Sequence, residues 1–401
     1  MVNGERGPRA TKSGGTTRTA AKKPAAPRKK ATTDRSVANG TDPAFVQLLT
    51  PEGDRVEHPD YSVDFTDQEY RDLYRDLVIV RRLDTEGTTL QRQGQLGIWA
   101  SLNGQEAAQI GSGRALAQQD MVFPTYREHG VLWCRDIDPI MPFGLFRGVD
   151  LGGWDSRKYK FNMYTIVIGA QTLHATGYAM GVKLDGKMGT DDGEAVIAYF
   201  GDGAISQGDV NEAFVYAAAY DAPVVFFCQN NQYAISVPVH KQAKAPLFER
   251  ASGFGFPGVR VDGNDVLATY AVTKDALDRA RHGEGPGLIE AYTYRMAAHT
   301  TTDDPTRYRD RSEEDAWRLK DPLSRMKAFL EKQGLADEDY FAELTAEADR
   351  YALDLRERVL SMPEPDPSSI FDHVYPNGSP LIDEQRAEFL AYHASFEGSG
   401  H

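Results

Sequence analysis

A chain of 401 residues, 41% hydrophobic and 10% aromatic, is long enough to bury one large α/β core or two smaller ones. Its net charge of −14 at pH 7 argues against nucleic acid as the main partner, and no run of about 18 apolar residues reads as a membrane span. Two isolated cysteines, Cys134 and Cys228, exclude a disulfide framework or a zinc cluster and read as inert packing residues in a reducing compartment.

The charge is uneven. Residues 1–40 hold ten Lys and Arg against two acids, a net +8 that leaves −22 on the rest. Rich in Ala, Thr, Pro, Gly and Lys and free of Leu and Phe, segment 1–41 cannot bury enough apolar surface to offset its ordering entropy, and reads as a disordered basic tail. Its scarcity of acids leaves a transit peptide open, and its charge leaves open a weak acidic or nucleic-acid contact. The lack of an amphipathic face favours a solvated tail. The folded part is expected over 42–376, with 377–401 as a C-terminal tail.

The first helix is announced by "TDQEYRDLYRDLVIVRRLDTEGTTLQRQG". Thr66 has N-cap chemistry, Glu69 completes a capping box, and Tyr70, Leu73, Tyr74, Leu77 and Val80 recur at helical spacing. "GQEAAQIGSGRALA" predicts a second helix, followed by a loop carrying "FPTYREHG". Small residues at helical spacing from Gln171 to Val182 predict a helix packed tightly on a neighbour, with His174 in the core. Then come a strand at Ala195 to Phe200, a helix at Gln207 to Tyr220 and a strand at Val224 to Cys228. A strand in "FPGVRVDGNDV", the helix "VLATYAVTKDALDRARHG" and a strand in "PGLIEAYTYRM" follow. Strands alternating with helices of this length predict an α/β fold, a parallel sheet covered by helices on both faces. Beyond Asp303 two charged helices form a helical C-terminal part, which ends in Pro-rich irregular sequence. No internal repeat is visible.

In a parallel sheet ligands sit beyond the carboxyl ends of the strands, where Gly201-Asp202-Gly203 falls. Glycines let the backbone approach an anion and present its N–H groups, and the helix behind adds partial positive charge. Asp202 would repel a phosphate there unless a cation intervened. Asn231, past the end of the next strand, offers a neutral oxygen to the same point, and Mg²⁺ bridging to a diphosphate resolves the conflict. A lone Gly-Asp-Gly is common turn chemistry; its pairing with Asn230-Asn231 across a strand–helix–strand unit gives the pattern its specificity. No G-x-G-x-x-G lies between a strand and a following helix, as a dinucleotide fingerprint requires, and the G-K-[ST] of a P-loop is absent.

The stretch "GDGAISQGDVNEAFVYAAAYDAPVVFFCQNNQYAIS" resembles the thiamine-diphosphate motif. With "YREHGVL", "RVDGNDV", "LIEAYTYRMAAHTTTDD" and "IFDHVYP", the chain from Asp60 to Pro376 resembles the alpha subunit of the decarboxylase component of 2-oxo acid dehydrogenases. The resemblance implies the thiamine-diphosphate-binding fold. It also implies that Asp202 and Asn231 ligate Mg²⁺ by side chain and Tyr233 by its backbone carbonyl. Gly203 and Ala204 would meet the diphosphate through their backbone, and Tyr126 and Arg127 would hold phosphate oxygens. Ile168 matches the bulky aliphatic that bends the cofactor, and Ile166 would contact the aminopyrimidine through its backbone. Arg295 matches the phosphate-side arginine. His299 matches the active-site histidine, expected with a pKa near neutral to protonate oxygen or sulfur. His129 reads mainly as a structural hydrogen bonder, and His58, His240, His282, His373, His393 and His401 as surface or loop positions. The loop with Arg307, Tyr308 and Arg309 is implied to order over the cofactor and guide a lipoyl domain.

Three departures stand out. Thr300 occupies the place of a kinase-target serine, Gln229 replaces a frequent phosphate-contacting arginine, and "GGWDSRKYKFNMYTIVIGAQ" replaces the usual segment before the cofactor strand. With room for only one sheet of this type, the chain must take its activating glutamate from a beta subunit. An α2β2 assembly is expected, with the small-residue helix "HATGYAMG" as a packing surface. The 2-oxo acid substrate is read as branched-chain, with pyruvate and acetoin as alternatives and a non-catalytic scaffold subunit as a different class. A lipoyl-bearing acyltransferase is the expected acceptor, and the bacterial cytoplasm the expected location, with the mitochondrial matrix second.

Overall fold

The computed structural model describes residues 45–150 and 153–396; the basic tail predicted over 1–41, and His401, lie outside them. Six parallel strands form the central sheet: β1 (Phe45–Val46), β2 (Met121–Phe123), β3 (Val196–Gly201), β4 (Val224–Asn230), β5 (Gly258–Asp262) and β6 (Gly287–Tyr292). Their order is β1-β5-β6-β4-β3-β2. A two-stranded antiparallel ribbon, Tyr233–Ala234 with Val237–Pro238, follows β4. The main helices are α1 (Asp67–Arg92), α2 (Glu106–Arg114), α3 (Ala170–Leu184), α4 (Gly208–Ala219), α5 (Val266–Arg281), α6 (Pro322–Lys332), α7 (Glu338–Leu360) and α8 (Pro380–Ala394).

Strand side chains alternate between faces, and here both faces are dry. Ile197, Tyr199, Val225, Phe227 and Ile289 join one apolar core with α1, α2, α5, α6 and α7. Val196, Ala198, Phe200, Val224, Phe226 and Cys228 join another with α3 and α4. Each such fully buried Val or Phe contributes about 1.5–3 kcal/mol, so the central strands are fixed in register from both sides. Cys228 therefore packs as the sequence suggests, its thiol held well above its ordinary range by burial.

The capping box at the head of α1 forms as expected. Thr66 accepts from the Glu69 N–H, and Glu69 accepts from the Thr66 N–H at 2.7 Å. The short strands β1 and β2 are additions to the sequence reading, and the "YREHG" loop is interrupted by a helix over His129–Cys134. Within the predicted tail 377–401, of which 377–396 are described, Ser379-Pro380 opens α8, since proline suits a first helical turn. None of its side chains is buried, and it is held by an Arg386–Asp372 pair at 2.7 Å and a Phe389–Phe371 ring contact. His174 is also corrected. On α3 it is exposed, while Ala175 and Ala179 face the core, so the small-residue pattern serves two faces. Added Cβ atoms at Gly177 and Gly181 would meet nothing within 4 Å.

No helix is long and apolar enough to cross a membrane, among the described residues.

Candidate active site

The carboxyl ends of β3, β4 and β6 open on one cavity of about 260 Å³, the place where parallel sheets hold ligands. β3 ends at Gly201 and the chain tightens into a 3₁₀ turn, Asp202–Ser206, before α4. Gly203 runs so close to the ribbon that a Cβ there would come within 2.6 Å of the Ala234 Cβ. Only glycine lets turn and ribbon meet. Asp202 is 1% exposed, and its Oδ2 accepts from Gln242 Nε2 at 3.1 Å. Burial pushes its carboxyl up to about 7, with Arg295 pulling the other way. The surrounding charges therefore do not offset the burial, and the ionised carboxylate is costly at neutral pH.

Asn231 stands just past β4. Its Nδ2 donates to Gln105 Oε1 at 2.9 Å, and its Oδ1 receives the Tyr233 N–H at 3.4 Å. The backbone then bends sharply: Gln232 and Ile235 have φ of 76° and 54°, a region costly for side-chain-bearing residues. Arg295 holds that bend, donating to the carbonyls of Tyr233 at 3.0 Å and Ile235 at 2.6 Å. Both its Nη groups are thus engaged with the ribbon; the sequence expectation placed this arginine on the phosphate side of the site. The Tyr233 carbonyl, expected to face a metal, already accepts from Arg295 and keeps one lone pair.

His299 sits on the loop after β6. Arg127 Nη2 and Arg295 Nη1 approach its Nδ1 at 3.3 and 3.4 Å. Guanidinium groups only donate, so Nδ1 is the acceptor and the ring proton is on Nε2. Burial, then Arg127 and Arg295, push its pKa down to about 3. Where the sequence led to an expected pKa near neutral, these contacts make His299 a neutral Nε2–H donor. Its backbone is pinned too, with Asp303 Oδ2 accepting the His299 N–H at 2.8 Å and the Tyr308 hydroxyl. Tyr126 meets the imidazole edge-on at 6.2 Å.

Arg127 is brought here by a loop that begins far away in sequence. Asp84, on α1, accepts from Trp99 Nε1 at 2.9 Å, Ser101 Oγ at 2.5 Å and the Leu102 N–H at 3.1 Å. The carbonyl of Ser101 so fixed takes Arg127 Nη1, and the carbonyl of Ala100 takes His129 Nε2 at 3.0 Å. Because that Nε2 must donate, His129 Nδ1 accepts from the Tyr164 hydroxyl at 2.7 Å, and its ring stacks on Trp99 at 4.4 Å. The structural reading of His129 therefore holds.

Burial pushes His129 down to about 3, which fixes the sign of a pH effect. Below its ordinary value near 6.5 the unfolded chain takes a proton that the fold refuses, so stability falls as pH drops from 6.5 toward 3. At pH 5 this amounts to about 2 kcal/mol. Urea unfolding at pH 7 and pH 5 checks it. The H129Q variant, with no imidazole, is expected to lose less of its stability over that interval, and an equal loss contradicts the assignment.

Of the other expected residues, Ile168, Gly203 and Ala204 line the cavity with Tyr126, Arg127, Asp202, Asn231, Tyr233, Arg295 and His299. Ile166 does not. It is 61% exposed, in an exposed apolar run with Val167 and Ile168. Sequence reasoning missed Gln105, Glu128 and Gln171 in the wall. Glu128 closes the "TYRE" turn on Thr125 and accepts from Gln229 Nε2 at 2.5 Å, so Gln229 braces the wall. No group of three His, Cys, Asp or Glu side chains is placed to hold a metal, among the described residues. A cation here would need amide and carbonyl oxygens beside Asp202. Three buried polar atoms of this wall have no partner: Gln105 Nε2, Gln171 Oε1 and Arg295 Nε. Orphans gathered in one wall fit a polar ligand.

The family model of the dehydrogenase E1 component matches residues 74–368. The chain belongs to that family. It is 43% identical over 347 residues, 86% of this chain and 93% of the relative, to the 3-methyl-2-oxobutanoate dehydrogenase subunit alpha of Mycobacterium tuberculosis. It is also 43% identical over 307 residues, 76% of this chain and 81% of the relative, to the pyruvate dehydrogenase E1 component subunit alpha of Staphylococcus aureus. As a 2-oxo acid dehydrogenase E1 alpha subunit it depends on thiamine diphosphate and works with a beta subunit and an acyltransferase.

Proposed function

We propose that this chain is the alpha subunit of a branched-chain 2-oxo acid dehydrogenase that decarboxylates 3-methyl-2-oxobutanoate and passes the acyl group to a lipoyl group of its acyltransferase. The observation that carries the catalytic reading is the convergence of buried Asp202, Asn231 and neutral His299 on one cavity. The substrate reading is supported by the longer match to the relative named for 3-methyl-2-oxobutanoate, at the same identity as the pyruvate relative.

In this reading Asp202 and Asn231 would hold Mg²⁺ by side-chain oxygen, and Tyr233 by the free lone pair of its carbonyl. The charge of the ion would offset the burial that raises the Asp202 pKa. The N–H groups of Gly203 and Ala204, at the open end of a helical turn, meet the diphosphate. Tyr126 and Arg127, which line the same cavity, would hold its oxygens. Ile168 would shape the bound cofactor by sterics, and Ile166, whose side chain stays outside the cavity, would meet it only through its backbone. When bound, thiamine diphosphate supplies the electron sink that a 2-oxo acid needs to lose carbon dioxide. His299 presents its Nε2–H to the reacting oxygen. Burial, then Arg127 and Arg295, suppress protonation of His299; a diphosphate held by Arg127 would offset the charge part of this, raise the pKa from about 3 and favour the imidazolium that can give up a proton.

A volume of about 260 Å³ is below the roughly 300–1,000 Å³ of complete small-molecule sites, and the apolar run Ile166-Val167-Ile168 is exposed. Both support a half-site completed by the beta subunit in an α2β2 assembly, with the outward Gly177 and Gly181 face of α3 where helices pack closely.

The test is turnover by the chain co-expressed with its beta subunit, with Mg²⁺ and thiamine diphosphate. Expected is a kcat/KM for 3-methyl-2-oxobutanoate at least tenfold above that for pyruvate. Preference for pyruvate or acetoin overturns the substrate reading, and no turnover on any of them favours a subunit that only binds.

A further inference from the structure

Asn231 can serve a cation only through its oxygen, and a carboxamide is free to turn either way, so something must set its direction. The Tyr233 N–H does so from one side, because only an oxygen can receive it at 3.4 Å. That leaves the Asn231 Nδ2 pointing at Gln105, 2.9 Å from Oε1. Gln105 must in turn present its oxygen to this donor, which makes Nε2 its free end. Nε2 is buried and without a partner, although Gln105 is 0% exposed and lines the same cavity as Asp202 and Arg127. A buried donor left unpaired costs about 1–3 kcal/mol. Its place in the wall gives that donor a use.

Gln105 is also held rigidly. Its backbone N–H donates to the Leu102 carbonyl at 2.8 Å, and its carbonyl opens α2 by accepting the Gln109 N–H at 3.2 Å. Beside it, fully buried Glu106 pairs with Arg81 and accepts the Gly104 N–H at 2.9 Å. Gly104, at φ +92°, lets the segment turn against the backbone of Tyr294 and Met296. Nothing in this framework needs the side-chain amide of Gln105.

From these contacts we infer that Gln105 belongs to the cofactor site. Its Oε1 locks Asn231 with the oxygen turned to the cation, and its Nε2 donates to a diphosphate oxygen. One side chain thereby ties the cation ligand to the anion that the cation neutralises. The inference rests on the reading of this cavity as the Mg²⁺–thiamine diphosphate half-site.

The experiment titrates thiamine diphosphate into the assembled alpha–beta complex across a range of Mg²⁺ concentrations, for wild type, Q105M and Q105E, with the Tm of each cofactor-free complex. Methionine keeps length and bulk and removes both polar functions, whereas glutamate keeps the acceptor for Asn231 and removes the donor. Expected is a loss of affinity of about 10- to 100-fold in both variants, as for partners that orient metal ligands. The half-saturating Mg²⁺ concentration rises in Q105M, and the cofactor-free Tm stays near wild type. Either variant binding like wild type overturns the inference, and so does a loss of affinity that tracks a fall in the cofactor-free Tm. Failure of the wild-type complex itself to bind would instead overturn the reading of the cavity.

Discussion

Replacing Asp202 by asparagine is expected to abolish Mg²⁺-dependent binding of thiamine diphosphate, by 100-fold or more, while making the cofactor-free complex more stable. The two effects share one cause. Burial holds this carboxyl at about 7 against an ordinary value near 3.8, which corresponds to ~4 kcal/mol of differential cost for the ionised form. In sign, the folded chain retains a proton that the unfolded chain has lost, so stability falls as pH rises from 3.8 through about 7 and stays low above it. An amide of the same shape carries no such cost but offers the cation no charge. At pH 8 the D202N complex is therefore expected to melt above wild type without ligands, and to gain nothing from Mg²⁺ and cofactor. Calorimetry of both complexes, with and without ligands, checks this. A D202N complex that melts lower, or still binds, contradicts the role given to Asp202.

Removing His299 is expected to lower kcat by about 10²- to 10⁴-fold, the range for a positioned proton donor, with cofactor affinity changed less than tenfold. The separation follows from the geometry. His299 offers Nδ1 to Arg127 and Arg295, both of which have other acceptors. Arg127 is held by the Ser101 and His299 carbonyls, and Arg295 by those of Tyr233 and Ile235. The backbone bonds survive in H299A, so the cofactor wall keeps its shape and only the Nε2–H is lost. Steady-state turnover together with cofactor titration distinguishes the cases. A loss of affinity as large as the loss of kcat would make His299 a structural element of the wall.

How much of this was legible in the sequence depended on the range of the contacts involved. The capping box of Thr66 and Glu69, the alternation of helices with β3 to β6, and the Gly-Asp-Gly and Asn-Asn pair are local patterns, and each appears where expected. β1 and β2 have two and three residues, too few to show alternation, and exist because distant strands offer an edge: Phe45 pairs with Arg260. The helix α8 was read as tail because no apolar face marked it, and none of it is buried. At the site the motif residues were legible, but the charge state of His299 was not. It is set by Arg127, whose place is fixed by Asp84 through Ser101, a chain of contacts spanning more than two hundred residues. Gln105 carried no local signal either, since its meaning lies in one bond to Asn231, 126 positions away.

The central claim, that the cavity between β3, β4 and β6 is a Mg²⁺–thiamine diphosphate half-site, is tested most directly by titrating thiamine diphosphate into the purified alpha–beta complex with Mg²⁺ and again after EDTA. One cofactor per alpha chain, bound only with the divalent ion and not by the alpha chain alone, is the expected result. Binding that ignores EDTA, or that the alpha chain achieves unaided, would contradict it.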